Sequence, residues 1–364
     1  MKLGVVGCGS ISPLYLRAVE HFPSLEFAFC SDLNMDVARM RAAEFGLEAL
    51  PVAELLARPE IEIIVNLTVP QAHAAVARAA LEAGKHVFNE KPLATSLEDA
   101  HALLDFAYAK GLRVACAPST FLGAAVQTCR KVLDEGAIGT PVAVHVAMLS
   151  RGMEAWHPNP AFFYEPGAGP LFDIGPYYLA ALVTLLGPVT RVAGMSRISF
   201  PERTILSQPL AGTTFEVTTP THIVSTLEFE GGVIGTLTTS FDVWASEQPK
   251  FEVYGSEGTL SLAAPNAMDG PVRVRRQGAA AWEKLPLVHR FGTLESGWGL
   301  ALADLVSATK QGRAHRADGR FALHVLEVMH ACLTAAETGQ MVAIESRCER
   351  PEPLWPGVDE GLLS

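Results

Sequence analysis

Over its first 118 residues the chain alternates short apolar runs with amphipathic ones at a regular beat, and this alternation limits the fold more than any other feature. LGVVG (3–7), LEFAFCSD (25–32), IEIIVNLTVP (61–70), KHVFNEKP (85–92) and LRVACAP (112–118) read as strands. ISPLYLRAVEHF (11–22), MDVARMRAAEFG (35–46), QAHAAVARAALEAG (71–84) and SLEDAHALLDFAYAKG (96–111) read as helices, the last opened by Ser96 and closed by Gly111. Apolar strands separated by amphipathic helices make parallel βαβ units, with helices laid on the sheet faces. The expected fold class is α/β, with an N-terminal doubly wound parallel sheet.

The beat stops near residue 120. A helix at 123–136 leads to VAVHVAMLS (142–150) and then to GPLFDIGPYYLAAL (169–182), a helix entrance with an acid, a Gly-Pro pair and two tyrosines. Strand-like runs follow at 191–200, 221–244, 250–264 and 272–277, and the Gly-Gly of FEGGVIG marks a hairpin. Two helices, at about 296–311 and 320–338, precede a Pro-rich tail. This half reads as α+β with a mainly antiparallel sheet. A length of 364 residues exceeds one typical core. The expected division is a dinucleotide-binding domain over 1–119 and a substrate-binding and oligomerisation domain over 120–364.

Composition removes several function classes. Apolar residues make up 49% and charged ones 18%, as in a well-filled globular protein. The net charge of −11 repels phosphate backbones, so no nucleic-acid partner is expected. No window reaches the uninterrupted apolar length of a membrane helix, so no membrane partner is expected. The start, MKLGVVGCG, reaches glycines too early for a signal peptide. The six cysteines (Cys8, Cys30, Cys116, Cys129, Cys332 and Cys348) form no CxxC pair and no Cys/His cluster. They read as reduced thiols of a cytoplasmic protein, with no metal site and no disulfide framework.

Gly7-Cys8-Gly9-Ser10-Ile11-Ser12 follows the first strand and opens the first helix. Gly7 permits the tight turn, Gly9 lets backbone approach a pyrophosphate, and the helix start at Ser10 and Ile11 receives its charge. Ser12 stands where the motif's third glycine would be. Asp32, at the end of the second strand, is placed to hold a ribose 2′-hydroxyl and to repel a 2′-phosphate. NAD is therefore the expected cofactor. Arg39 and Arg41 on the next helix leave NADP open. Thr68, Pro70 and His73 lie beyond another strand end, where open α/β sheets bind ligands, although a lone His73 reads equally as a cap or a packed residue. Glu90 and Lys91 sit at a third strand end, and Pro92 restricts Lys91 to an extended backbone that aims it.

In this order GCGSIS, Asp32, TVPQAH, EKP, DIGPYY, FEVYGSEGTL and AETGQMVAI resemble the Gfo/Idh/MocA oxidoreductases, over about residues 2–350. The resemblance implies an N-terminal Rossmann domain and a C-terminal open-faced, mainly antiparallel sheet. It implies NAD(P)-dependent hydride transfer on sugars, polyols or related cyclic alcohols. It makes Lys91 of EKP catalytic, often before a cis proline, and implies homodimers or homotetramers formed through the open sheet. Many members carry a histidine four residues after the aspartate matching Asp173; here that position is Tyr177. This resembles the glucose–fructose oxidoreductase and dihydrodiol dehydrogenase branch.

The expected catalytic set is thus Lys91, Tyr177 and Asp173. A tyrosine of ordinary pKa, about 10, is a poor base near neutrality, and a neighbouring Lys91 ammonium is expected to lower it. Asp173 orients Lys91 or binds a neighbouring hydroxyl. Tyr178, one step round the helix, reads as core packing. Trp156 and His157, in a loop rich in Pro, Gly and aromatics, join Asp173 and Tyr177 as the expected substrate-binding residues. A second enzyme reading makes His157 the acid–base group. A reading from another class is a non-catalytic dinucleotide- and sugar-binding sensor of the same fold.

Overall fold

The structure, a computed structural model, describes residues 1–291 and 297–354. Its first sheet contains β1 (Lys2–Val6), β2 (Glu26–Ser31), β3 (Glu48–Ala49), β4 (Ile61–Asn66), β5 (His86–Asn89) and β6 (Val114–Cys116). All pairings are parallel, in the order β3-β2-β1-β4-β5-β6. The connecting helices are α1 (Ser12–Leu16), α2 (Met35–Phe45), α3 (Val52–Ala57), α4 (His73–Glu82) and α5 (Leu97–Ala109). Strand order reverses between β1 and β4, and the loops that leave those two strands open the crevice where such sheets bind ligands.

Three local expectations need correction. The run 11–22 is not one helix: α1 ends at Leu16 and a 3₁₀ turn, Arg17–Glu20, follows. TVP (68–70) and EKP (90–92) lie outside the ladder, in loops beyond β4 and β5. Neither β3, with two residues, nor α3, with six, was expected, because segments so short carry little periodicity.

The second half builds a nine-stranded sheet. Its members are β7 (Pro141–Leu149), β8 (Val189–Arg197), β11 (His222–Phe229), β12 (Ile234–Ser240), β13 (Phe251–Gly255), β14 (Gly258–Leu262), β15 (Val272–Arg276), β16 (Glu283–Lys284) and β17 (Val342–Ala343). The order is β16-β15-β14-β13-β7-β12-β11-β8-β17, antiparallel throughout except for the β7–β12 pair. β9 (Glu202–Thr204) and β10 (Thr214–Glu216) form a separate ribbon. The FEGGVIG hairpin joins β11 to β12, with Glu228 opposite Ile234.

Among the described residues, the α-helices of this half are α6 (Ala124–Asp134), α7 (Gly169–Leu186), α8 (Leu300–Gln311) and α9 (Gly319–Thr338). The helix expected at about 296–311 runs over Leu300–Gln311; residue 296 and the end of the Pro-rich tail from 355 lie outside the described residues. α7 packs on β7, β11 and β12, and α9 on β8 and β11. Alternation along β11 shows the result: Ile223, Ser225, Leu227 and Phe229 are buried, whereas Val224 and Thr226 face out. The uncovered face mixes threonines with large apolar side chains, among them Met195, 81% exposed, and Ile234, 57% exposed.

α9 also reaches the first sheet. It packs on α5 and β6, and the Cys116 N–H donates to the carbonyl of Ala317, just ahead of α9, at 3.0 Å. The helix to weigh against the expectation of no membrane span is α7. By length and composition alone its 18 residues, with mean hydropathy 1.3, suffice to cross a membrane. In this fold 83% of that stretch is buried inside the protein, which accounts for its apolar character.

Candidate active site

The crevice starts at the glycine loop after β1. Gly7 has φ +99°, and a Cβ there would lie 2.6 Å from the carbonyl carbon and oxygen of Leu67, so only glycine fits. A Cβ on Gly9 would meet nothing within 4 Å, which leaves that side of the loop open for a ligand. Ser12 is fully buried, and its hydroxyl donates to the Gly9 carbonyl at 2.8 Å. It closes the turn from within, where a third glycine would have allowed close packing. Ile11, the N-cap of α1, makes no side-chain cap; the Ser12 and Leu14 N–H groups donate to the Gly9 and Ile11 carbonyls at 3.2 and 3.1 Å, and Pro13 between them has no N–H. Ser10 is exposed beside them.

Asp32 follows β2 directly. Its carboxylate accepts from the Cys8 N–H at 2.8 Å and the Asn34 N–H at 2.9 Å, which fixes it beside the loop. Arg39 pairs with Asp36 at 2.7 Å. The Arg41 guanidinium pairs with Glu44 and lies under the loop, facing the Cys8 and Gly9 carbonyls. Both arginines left open for a 2′-phosphate are thus engaged elsewhere. Open space at Gly9 and a fixed acid at Asp32 fit a dinucleotide with a free 2′-hydroxyl.

Across the crevice, β4 and β5 both end in asparagine. Asn66 Nδ2 donates to Asn89 Oδ1 at 2.9 Å, and Asn89 Nδ2 to the Leu93 carbonyl at 3.1 Å. The Thr68 hydroxyl donates to Asn66 Oδ1 at 2.7 Å, and Pro70 opens a short 3₁₀ turn. His73 is fully buried, and its two ring nitrogens face the Pro92 carbonyl at 2.6 Å and the Thr68 carbonyl at 3.1 Å. Expected among the cofactor contacts, it offers no free polar atom; it ties the loop after β4 to the turn after β5. Sequence reasoning missed Asn66 and Asn89, although a polar last residue on an apolar strand was the available signal.

The Lys91–Pro92 peptide is cis. Glu90 is buried; its carboxylate accepts from the Tyr15 hydroxyl and from the Lys91 N–H, each at 2.7 Å. It therefore holds the backbone that carries Lys91 and does not face a ligand, and Tyr15 is a third residue sequence reasoning passed over. Lys91 Nζ donates to the Asp173 carbonyl at 2.7 Å and to Asp173 Oδ1 at 3.1 Å. It also stands 5.4 Å from the centre of the Tyr177 ring. Asp173 and Tyr177 lie one turn apart on α7, on either side of Pro176, which has no N–H to continue the helical ladder.

Charge at this cluster departs from expectation. Burial alone would pull the Lys91 pKa down, but Tyr177, Asp173 and Glu90 outweigh it and hold it above its ordinary value. Burial pushes the Tyr177 phenol up, and Lys91 only partly offsets this. The expected lowering of Tyr177 is therefore corrected: desolvation of the phenolate exceeds its attraction to the ammonium. Near neutrality both groups hold their protons.

The loop after β7 carries the remaining expected residues. His157 Nδ1 accepts from the Asn159 N–H at 3.2 Å, and its ring lies edge-on to Trp156, Phe162 and Phe163. Its ring contacts lie within this loop, its carbonyl accepts from the Ser207 hydroxyl, and among the described residues none of its contacts is with Lys91 or Tyr177. Trp156 is 64% exposed at the rim of a cavity of about 260 Å³ at the end of β7. Behind the loop, Arg203 is buried between Glu154 and Asp242 and pairs with both, while the Tyr164 hydroxyl donates to Glu154 at 2.6 Å. This network fixes the wall that carries Trp156.

Residues 1–117 match the oxidoreductase family with an NAD-binding Rossmann fold, and residues 126–261 match the GFO/IDH/MocA C-terminal domain. The chain is 25% identical to D-apiose dehydrogenase of Paraburkholderia graminis over 386 aligned positions, which cover 100% of this chain and 94% of that protein. It is 28% identical to 1,5-anhydro-D-fructose reductase of Ensifer adhaerens, covering 95% of this chain and 99% of that one. In fold it resembles levoglucosan dehydrogenase in complex with NADH and levoglucosan, with a TM-score of 0.81 at 21% identity over 95% of this chain and 99% of that one. Two consecutive family matches, the strand order and the crevice agree: the chain belongs to the Gfo/Idh/MocA family of oxidoreductases.

Proposed function

We propose that the protein is an NAD-dependent dehydrogenase acting on a secondary alcohol of a sugar, polyol or related cyclic diol. The observation that carries this reading is the Lys91 ammonium, held by Asp173 beside the Tyr177 ring at the C-terminal edge of the first sheet. Bound NAD supplies the centre that accepts or returns hydride. Lys91 binds the reacting oxygen, and its charge stabilises the developing alkoxide. Tyr177 exchanges the proton with that oxygen. Asp173 keeps the ammonium in place, and Glu90, steadied by Tyr15, fixes its backbone. Because both groups are protonated near neutrality, the resting site is set to donate a proton to a ketone. Oxidation requires one of them to release its proton first.

Purified protein with NAD, offered a panel of polyols and monosaccharides, should change absorbance at the reduced-nicotinamide band. No change across the panel favours the sensor reading instead.

Cofactor choice has its own test. The Asp32 carboxylate disfavours a 2′-phosphate through like-charge repulsion, so NAD should bind more tightly than NADP. Asp32→Ala should narrow the gap by roughly ten- to a hundredfold. Dissociation constants measured by nicotinamide fluorescence decide this; NADP bound as tightly as NAD by the unmodified protein overturns it.

The apolar residues on the uncovered face of the nine-stranded sheet, with Met195 and Ile234 among the most exposed, support a homodimer or homotetramer formed through that face. Light scattering at micromolar concentration should give a multiple of the 38.9 kDa chain mass, and a monomer mass contradicts the assignment. All six cysteines are free thiols, which supports the proposed cytoplasmic setting.

A further inference from the structure

Turning one residue on from Asp173 and Tyr177 along α7 gives Ile174 and Tyr178, and both line the cavity at the end of β7. Tyr178 is only 2% exposed, and its ring stacks on Phe251 with centroids 6.5 Å apart. Its hydroxyl nevertheless finds no hydrogen-bond partner among the described residues. Nor is that oxygen among the unpartnered side-chain atoms sealed in packing, and Tyr178 is one of the residues that line the cavity. A buried tyrosine normally bonds its hydroxyl. Phenylalanine would give the same stack without an unbonded polar atom.

The cavity has the chemistry of a polyhydroxylated ring. Met148, Met153 and Phe241 give it apolar walls, Trp156 gives an aromatic face at the rim, and Asn266 and Ser150 bring further polar groups. Its place on α7, beside the face that carries Tyr177, puts it within one helix step of the reacting centre.

We propose that this cavity takes the part of the polyol remote from the reacting carbon, and that the Tyr178 hydroxyl is a specificity-determining contact to one of its hydroxyls. The inference rests on the dehydrogenase reading and goes beyond it by separating recognition, at Tyr178, from proton exchange, at Tyr177.

Tyr178→Phe tests it, with unmodified protein and variant saturated with NAD and offered myo-inositol, D-glucose, D-xylose and levoglucosan. For whichever is oxidised, KM should rise about tenfold or more while kcat stays within about threefold, since a lost contact to a buried polar site acts on affinity. NAD affinity and Tm should not change, because the stack on Phe251 remains. Among monodeoxy analogues of that substrate, one should bind poorly to the unmodified protein and no worse to the variant. An unchanged KM on an oxidised substrate, or a KM rise accompanied by a fall in Tm, overturns the inference and leaves the dehydrogenase reading standing. Absence of turnover with every polyol, and of any quenching of tryptophan fluorescence on their addition, overturns both.

Discussion

Lys91→Met is expected to leave a folded protein that still binds NAD but turns over at no more than about 10⁻⁴ of the original rate. Two contributions are lost together. Tyr177 loses the ammonium that favours its phenolate, which impairs a proton exchange worth about 10² to 10⁴, and the fixed charge on the developing alkoxide, worth about 10² to 10³ more, is gone. Methionine keeps the length and apolar stem of the side chain, so packing against Tyr177 survives while the bonds to Asp173 are lost. Lys91→Arg should also fail, because a planar guanidinium cannot take the place of a compact ammonium between a backbone carbonyl and a carboxylate. Stopped-flow measurement of nicotinamide reduction, beside NAD titration of each variant, checks both statements. A Lys91→Met enzyme retaining a tenth of its turnover removes Lys91 from the chemistry.

Tyr177→Phe removes one hydroxyl and keeps a buried ring in place. Turnover should fall by about 10² to 10⁴, with NAD affinity and Tm nearly unchanged. The pH profile gives the sign. Burial holds the Tyr177 pKa above its ordinary value, and Tyr177, Asp173 and Glu90, outweighing burial, do the same for Lys91. Oxidation needs an unprotonated acceptor, so its rate should climb through the alkaline range, whereas ketone reduction, which needs the protonated form, should fall there. Tyr177→Phe should flatten the oxidative limb. His157→Ala should act on substrate affinity and leave the limb intact. If instead Tyr177→Phe keeps near-full turnover and His157→Ala loses both turnover and limb, the base is His157.

Much of the first sheet was legible because a parallel strand covered on both faces must be apolar along its whole length, as IEIIVN is. β3 was not, since two residues carry no pattern. The β11–β12 hairpin was legible through its Gly-Gly turn, yet the parallel pairing of β12 with β7 joins segments far apart in the chain and leaves no local mark. The site followed the same division. Gly7 and Asp32 are readable where they stand, whereas Lys91 and Asp173 meet across 82 residues and became readable only through motifs met together in one family. Depth was the quantity sequence could not supply. It decides the direction of the Tyr177 pKa, and it turns His73 from a ligand contact into a strut. Tyr178 shows the limit of helical spacing: one step round α7 does take it off the Asp173–Tyr177 face, but spacing says nothing of the cavity it meets there.

The Lys91 ammonium, proposed to meet the substrate, is also a fastener. It starts from the turn after β5 in the first sheet and ends on the backbone of α7, which covers the second. Any motion that parts the two sheets draws Lys91 away from Asp173, and with it the influence that keeps its proton in place. Each half of the chain thus brings one partner of this pair, and neither half holds it alone.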